Sequence, residues 1–489
     1  MPLQFDNSYA GLGSPLSVPQ QPDPVDSPEL IRVNDSLAKE LGFDPQWLAS
    51  DAGVLALAGN ELIPGSEPVA TAYAGHQFGQ FNPQLGDGRA VLLGELLTPA
   101  GRRYDLQLKG SGRTSWSRGG DGRSPIGPVL REYLVSEAMA ALGVPTTRAL
   151  AAVTSGERVV RESVEPGAIL TRVASSHLRV GTVQYFAARE DRHSLGLIVE
   201  HILARHYPQA LDEPNAALAL LNSVIEAQAA LIARWQLLGF IHGVMNTDNM
   251  LLCGETVDYG PCAFMEAFHA ETVFSSIDQQ GRYAYCNQPG IAQWNLTRLA
   301  ESLLPLIDDD TDAAVALAQV AIQRFPGLFE SAHNAGLADK LGLALLTGED
   351  SALTENLFTA LQADQADFTL AFRFLADETC PGTDGSGAGA LFEPGEQLLE
   401  WMPLWKQRQA MEDASPADLQ RRMFLANPAF IPRNHLIQRA IEQGTEGDFS
   451  LFHRLTERLG RPGDYDSADR DLALPAKPEE RVLRTFCGT

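Results

Sequence analysis

The sequence predicts an α+β protein in two lobes: a small antiparallel sheet carrying one helix, then a large helical lobe, with extensions at both ends. Three observations predict it. Short apolar alternations broken by glycines and turn residues crowd residues 70–108. One helical pattern interrupts the strand-like pieces before about residue 182. After that point the apolar spacing is helical almost throughout. The divisions expected are an N-terminal arm over 1–65, a sheet-bearing lobe over 66–182, a helical lobe over 183–380, and a linker with a helical extension over 381–489.

The arm is rich in proline and turn formers, with one short helical pattern in SPELIRVNDSLAKELG. Val91 to Leu97 and Tyr104 to Leu108 read as strands between turns. The helix follows in GPVLREYLVSEAMAALG, with Pro128 near its first turn and Gly143 as its stop; Leu130, Tyr133, Leu134 and Leu142 fall close to one face. Further strands are expected in RALAAVTSG and GAILTRVAS. The longest helical pattern is NAALALLNSVIEAQAALIARWQLLGF, followed by WNLTRLAESLLPLI, DAAVALAQVAIQRF, LADKLGLALL and LTENLFTALQ. PGTDGSGAGALFEPG reads as a flexible linker, and PADLQRRMF and RNHLIQRAIEQG as late helices.

With 489 residues, 44% of them hydrophobic, the chain can bury large cores. A net charge of -25 gives a surface field that repels nucleic-acid backbones and anionic lipid, so neither nucleic acid nor a membrane surface is expected as a partner. Any phosphate must meet a local cationic pocket. The start has neither a basic region followed by an apolar core nor an Arg-rich presequence, and no run of about eighteen uncharged apolar residues occurs, so a cytoplasmic location is expected. Five scattered cysteines without a C-x-x-C pair indicate neither a zinc site nor a disulfide scaffold.

The chemistry gathers around GFIHGVMNTDNMLL. In the protein-kinase pattern H-R-D-L-x-x-x-N, the aspartate orients the attacking hydroxyl and the asparagine holds magnesium. His242 and Asn249 keep the seven-residue spacing, but Val244 stands where the aspartate belongs. Lys109 ends the strand LQLK ahead of a helix with two acids, Glu132 and Glu137, which lie five apart and face different ways, so only one can pair with it. Asp258 of VDYG precedes an aromatic residue and a glycine, as in D-F-G, nine residues after Asn249, a spacing that suggests a short joining hairpin. Lys109, Asn249 and Asp258 in that order make a magnesium and nucleotide site. Asp248 is either a solvated loop carboxylate or a base standing in for the missing aspartate. Gly86, Gly88 and Arg89 in QLGDGR would let backbone and guanidinium approach phosphates, though Gly-Asp-Gly is also an ordinary hairpin turn. Arg172 and Arg179 would clamp a terminal phosphate or pair with the acidic surface, the latter being favoured by the residues alone. No G-x-S-x-G elbow or H-E-x-x-H helix is present.

Taken together, AYAGHQFGQFNPQLGDGRAVLLGE, LKGSGRTSWSRGGDGRSPIGPVLREYLVSEAM, HGVMNTDNMLLCGETVDYG and NQPGIAQWNLTRLAESL resemble the selenoprotein O family, from FDNSYAGL near the start to NPAFIPRNHLIQRAI late in the chain. The resemblance implies a protein-kinase-like two-lobed fold, called a pseudokinase because the catalytic-loop aspartate is absent. It implies an enzyme that binds ATP turned round and transfers AMP to Ser, Thr or Tyr hydroxyls of proteins, releasing pyrophosphate. By the same resemblance Lys109 meets the phosphates with Glu132 as its partner, and Arg172 and Arg179 grip the terminal phosphate. Gly86, Gly88, Arg89, Asp121 and Gly122 line the nucleotide site; Asn249 and Asp258 hold Mg2+, with Mn2+ as an alternative; and Asp248 is the proton acceptor. Many eukaryotic members carry a selenocysteine near the C-terminus, where this chain has Cys487. In some bacterial relatives the tail cysteine pairs with one in the segment that reads FHAETVFSSIDQQGRYAYC here, where serines align with it and Cys286 and Cys262 are the nearest alternatives. The rival readings are a γ-phosphotransferase, which Val244 opposes, and a non-enzymatic nucleotide-binding scaffold, which need not keep Lys109, Asn249 and Asp258 together.

Overall fold

A computed structural model describes residues 3–380 and 387–486. The arm contributes β1 (Gln4–Phe5), β2 (Ser17–Pro19) and β3 (Leu30–Val33), then helices α1 (Asp35–Leu41), α2 (Pro45–Leu48) and α3 (Asp51–Ala58). There follow β4 (Val69–Thr71), the hairpin β5 (Gly75–Gln77) and β6 (Gln80–Asn82), β7 (Ala90–Leu97), β8 (Arg103–Lys109), β9 (Ser124–Pro125), α4 (Ile126–Ala141), and the long hairpin β10 (Arg148–Val160) and β11 (Val164–Ala174). Nine of these strands form one antiparallel sheet in the order β2-β4-β7-β8-β11-β10-β3, with β1 on β7 and β9 on β11.

The expected helix in SPELIRVNDSLAKELG is half strand. Leu30–Val33 pairs with Ala151–Val153 of β10, and only Asp35–Leu41 is helical, begun by the Asn34 side chain accepting from the Leu37 amide. The alternating Leu-Ile-Arg-Val run prefers a pleated edge, and an Asn N-cap restarts the chain as helix. Both terminal strands of the main sheet path, β2 and β3, therefore come from the arm.

The sheet is covered on both faces. Leu106, Leu108, Ile169 and Val173 pack with Leu37, Leu41, Val54 and Leu57 of α1 and α3. On the other face Leu170 and Ala168 meet Val129, Leu130, Tyr133 and Leu134 of α4.

The remaining helices are α5 (Val180–Ala187), α6 (Arg192–His206), α7 (Ala216–Leu238), α8 (Gln288–Ile307), α9 (Thr311–Ile322), α10 (Phe325–Leu341), α11 (Ser351–Ala363), α12 (Phe368–Thr379), α13 (Glu396–Gln409), α14 (Pro416–Ala426), α15 (Asn434–Thr445), α16 (Ser450–Leu459) and α17 (Arg470–Ala473), with a two-stranded ribbon β12 (Phe240–Ile241) and β13 (Ala263–Phe264) after α7. In length and composition α7 could cross a membrane, but 61% of its apolar window is buried, packed among its neighbours. LADKLGLALL is helical only to Leu341: Gly342 takes φ +69° and its amide bonds back to the Ala338 carbonyl, which ends α10. Of the expected linker, residues 381–386 lie outside the described residues, and Ala388–Leu391 form a 3-10 turn.

The C-terminal extension returns to the sheet lobe. Phe452 of α16 meets Tyr133 of α4 edge-to-face at 5.4 Å, and Leu130 packs against Gly444 of α15. Beyond it, Thr485 lies beside Ser275 in a parallel bridge, its amide donating to the Phe274 carbonyl at 2.8 Å, and its hydroxyl donates to the Pro261 carbonyl.

Lys340 of α10 is 4% exposed, with its ammonium 4.0 Å from the Phe372 ring centre and no carboxylate in ion-pair range among the described residues. Burial pushes it down to about 7. The folded protein then binds fewer protons than the unfolded chain between pH 7 and about 10.5, so stability rises with pH across that window. Lys340→Met is expected to stabilise the protein at pH 7 by about 2–3 kcal/mol, after allowing for the lost ring contact. Urea unfolding at pH 7 and pH 9.5 should show that advantage shrinking; a gap that does not change with pH would contradict the buried charge.

Candidate active site

Strand alternation builds the site. Along β8, Asp105, Gln107 and Lys109 point to one face while Leu106 and Leu108 enter the α1–α3 core. On β11, Arg172 is in register with Gln107 and shares the polar face. Helix α4 crosses that face and brings Glu132 onto both cations: Lys109 Nζ donates to Glu132 Oε2 at 2.6 Å and Arg172 Nε to Oε1 at 2.8 Å. Glu137, the other candidate acid, pairs with Arg148 and Asn34 instead.

Asp258 joins the cluster from the helical side. Its Oδ1 accepts from Lys109 Nζ at 2.8 Å and from Arg172 Nη2 at 2.7 Å, and its Oδ2 from Arg179 Nη1 at 3.0 Å. Arg172 and Arg179 are thus buried at 2% and 3% exposure rather than paired with the acidic surface as the residues alone favoured. Arg172 is a strand residue, whereas Arg179 precedes α5 and lies over the Tyr73 ring at 4.7 Å. Burial pushes the Asp258 carboxyl up, but Lys109, Arg172 and Arg179 outweigh it and hold it well below the usual carboxylate range. Glu132 is likewise held down against its burial by Arg172 and Lys109. Three cations face two carboxylates, an excess of positive charge inside a strongly acidic chain. Asp258 is the most open of the five, its side chain 25% exposed, and it adopts φ +63°, a left-handed conformation uncommon outside glycine.

No hairpin joins Asn249 to Asp258. Leu251 bridges Arg179 and Thr256 bridges Thr146, so the linking segment is tied to its neighbours instead of to itself. His242 is fully buried with Nε2 against the Val257 carbonyl at 2.9 Å, and Val244 is 8% exposed. Asn249 donates through Nδ2 to the Val244 carbonyl at 2.9 Å. Asp248 is buried, its backbone carbonyl accepting from Arg179 Nη1 at 2.6 Å. Burial pushes its carboxyl up to about 6 against the pull of Arg179, and Oδ1 has no partner.

The hairpin β5–β6 escaped notice in the sequence. It clasps the catalytic loop: the His76 amide donates to Thr247 Oγ1 at 2.7 Å, Gln77 Nε2 to Asp248 Oδ2 at 3.1 Å, and the Phe78 amide to Asn246 Oδ1 at 3.0 Å. Gln184 of α5 accepts from Thr247 at 2.6 Å. The alternation of HQFGQFN about Gly79 was the available signal.

The glycine loops lie beside Lys109, since the Arg89 carbonyl accepts from the Gly110 amide at 2.7 Å. Gly86 has φ +70°, and a Cβ there would fall 2.3 Å from Trp116 Cγ; Gly88 lies under the Trp116 carbonyl. Packing of the 110–123 loop thus gives both glycines a reason of their own. Gly122, at φ +69°, passes so close to the Gly112 carbonyl that a Cβ would sit 1.9 Å from it. The Asp121 carboxylate pairs with Arg161 at 2.8 Å and accepts from the Arg123 amide. Among the described contacts none joins Asp121 or Gly122 to Lys109, Glu132 or Asp258.

The oxygens present suit a hard divalent cation that keeps water and phosphate in most of its coordination sphere. Asp258 offers a carboxylate, and Asn249 offers its Oδ1 while its amide nitrogen donates to the Val244 carbonyl. No group of three or more His, Cys, Asp or Glu side chains with metal-holding geometry exists among the described residues.

A family model described as protein adenylyltransferase SelO matches residues 1–460. The chain belongs to that family. Among its SelO-family relatives, a protein nucleotidyltransferase YdiU of Nitrobacter hamburgensis is 53% identical, covering 100% of this chain and 97% of the relative. The protein nucleotidyltransferase YdiU of Rhodopseudomonas palustris strain BisB5 is 54% identical over 99% of both chains. The redox pairing that SelO-family membership suggested for Cys487 lies outside the described residues; Cys253, Cys286 and Cys380 are free thiols, Cys286 exposed, and Cys262 is buried.

Proposed function

We propose that the chain is a protein adenylyltransferase with a protein-kinase-like core, the sheet lobe of 66–182 set against the helical lobe of 183–380, the arm of 1–65 and the extension of 381–489 bracing both. It transfers AMP from ATP to Ser, Thr or Tyr hydroxyls of proteins. The observation that carries this reading is the pairing of an intact cationic cluster with Val244: the groups that hold a polyphosphate are together, while the residue that would aim a hydroxyl at the γ-phosphorus is a buried aliphatic. A nucleotide bound the other way round presents its α-phosphorus to the acceptor, and the loss of the aspartate ceases to matter.

Lys109, Arg172 and Arg179 are already desolvated and oriented by Glu132 and Asp258, so they can meet phosphate oxygens without reorganising. Asn249 and Asp258 would hold Mg2+, or Mn2+, which supplies charge neutralisation on the polyphosphate. The acceptor oxygen forms a bond to the α-phosphorus, the bond from that phosphorus to the bridging oxygen breaks, and pyrophosphate leaves with the electron pair. Asp248 Oδ1, unpartnered in the buried loop, takes the hydroxyl proton. Gly86, Gly88, Arg89, Asp121 and Gly122 would border the nucleotide on the two adjoining loops.

The test is incubation with Mg2+ and ATP labelled at the α- or the γ-phosphorus. Acid-stable α label on protein, with no γ label, is the expected result. Transfer of γ label would restore a phosphotransferase; neither label, with ATP bound, would leave a scaffold.

A further inference from the structure

Two residues beyond the Gln77 contact to Asp248, the β5–β6 hairpin turns over a second cationic feature. Phe78 holds φ +50°, costly for an aromatic residue, and is fixed there by its amide bond to Asn246 and by edge-to-face packing on Tyr283 at 5.1 Å. Tyr283 donates its own hydroxyl to the same Asn246 oxygen at 2.7 Å. Beside them Arg282 lies over the Trp294 ring at 4.7 Å, and Trp294 is fixed in turn by His76 edge-on at 5.3 Å.

The Arg282 guanidinium has no carboxylate within ion-pair distance among the described residues, and its Nε is buried with no hydrogen-bond partner. Asp278, the nearest acid in sequence, spends both oxygens on the Arg282 and Tyr283 amides at 2.9 and 2.7 Å. Neighbouring Arg298 also stacks on Trp294, but it has Glu301 as counter-charge. Arg298 Nε is buried without a hydrogen-bond partner as well, so what sets Arg282 apart from it is the missing counter-charge. Arg282, Phe78, Asn287 and Ile291 border an open cavity of about 440 Å³.

We propose that this cavity is the acceptor-docking subsite, in which Arg282 binds one Asp or Glu side chain of the protein segment that carries the acceptor hydroxyl. The inference rests on the adenylyltransferase reading. It is favoured by charge and by position: the guanidinium is preorganised by aromatic faces and lacks an anion, and the hairpin that walls the cavity also touches Asp248. The chain's net charge of -25 repels an extensively acidic partner, so a single acidic residue beside the hydroxyl is the signal that a local pocket can read. Phe78 and Ile291 supply apolar walls for the rest of the segment.

The experiment uses full-length protein and fluorescent twelve-residue peptides bearing one Ser or Tyr, flanked by Glu, Gln or Lys. Binding is read by anisotropy without nucleotide, and transfer by α-labelled ATP. The wild type is expected to bind the Glu peptide at least about tenfold more tightly than the Lys peptide, as suits a hydrogen-bonded ion pair. Arg282→Glu should invert that order and raise the KM for the Glu peptide while the KM for ATP stays put; Arg282→Gln should abolish the preference. Equal binding of the three peptides by the wild type, or an unchanged order in Arg282→Glu protein whose melting curve is normal, overturns the subsite. Charge-dependent binding with no α-label transfer would instead remove the transferase reading and leave an acid-binding pocket standing.

Discussion

Lys109→Ala protein is expected to transfer no measurable AMP. Lys109 Nζ touches both Glu132 and Asp258, so its loss would remove a proposed phosphate contact and cancel the cluster's excess positive charge, leaving Arg172 and Arg179 against two carboxylates. Deleting one preorganised charge-stabilising donor costs roughly 10²–10³-fold in rate, and the loss of the cluster's excess positive charge adds to it. Asp258→Ala should be equally silent for a different reason: Lys109, Arg172 and Arg179 lose their common anion and the metal loses its carboxylate. Asp248→Ala should cost less, since a hydroxyl attacking an activated phosphoanhydride needs little help from a base. The measurement is α-label transfer at saturating ATP with a thermal melt alongside; near-normal turnover in Lys109→Ala would remove the site altogether.

Glu132→Ala is expected to lower stability by about 3 kcal/mol, because it leaves two buried cations to share Asp258, already held by Arg179, as their remaining counter-charge. Arg172 is 2% exposed and Lys109 8%, so water cannot take over the role of the carboxylate. Glu132→Gln keeps the volume and one acceptor and should lose less, yet transfer should fall in both variants as Lys109 drifts from its position. A denaturation midpoint for Glu132→Ala equal to that of the wild type would mean that the α4 carboxylate is not what holds the two cations in place.

The regular parts of the sheet lobe were legible because they obey local rules. The strands expected at Val91–Leu97 and Tyr104–Leu108 are Ala90–Leu97 and Arg103–Lys109, and the helix between Pro128 and Gly143 is Ile126–Ala141. Lys109 and Asp258, which the structure brings into contact, are picked out with Asn249 by order and spacing, which survive without knowledge of contacts. What was lost depends on distant partners. Spacing could not choose Glu132 over Glu137, because the choice is made by Arg148 lying beside the latter. The residues alone favour surface ion pairs for Arg172 and Arg179, and only the family resemblance puts them at the phosphates, because their burial is created by α4 and Asp258, not by their own neighbours in sequence. The β5–β6 hairpin touches the catalytic loop 171 positions away, a relation no local pattern carries.

Thr485 hydrogen-bonds to Pro261, 224 positions before it in the chain, and closes a bridge on Ser275. During synthesis at about 5–20 residues per second, the Asp258 segment therefore waits roughly ten to forty-five seconds for its bridging residue to be made. A nascent chain still on the ribosome holds Lys109, Arg172, Asp248 and Asp258 already made but its Thr485 bridge missing. The schedule of translation thus separates the assembly of the charged cluster from the locking of the segment next to it, and premature stops after α16 would yield proteins with every candidate catalytic residue present and the Pro261–Ser275 stretch unfastened.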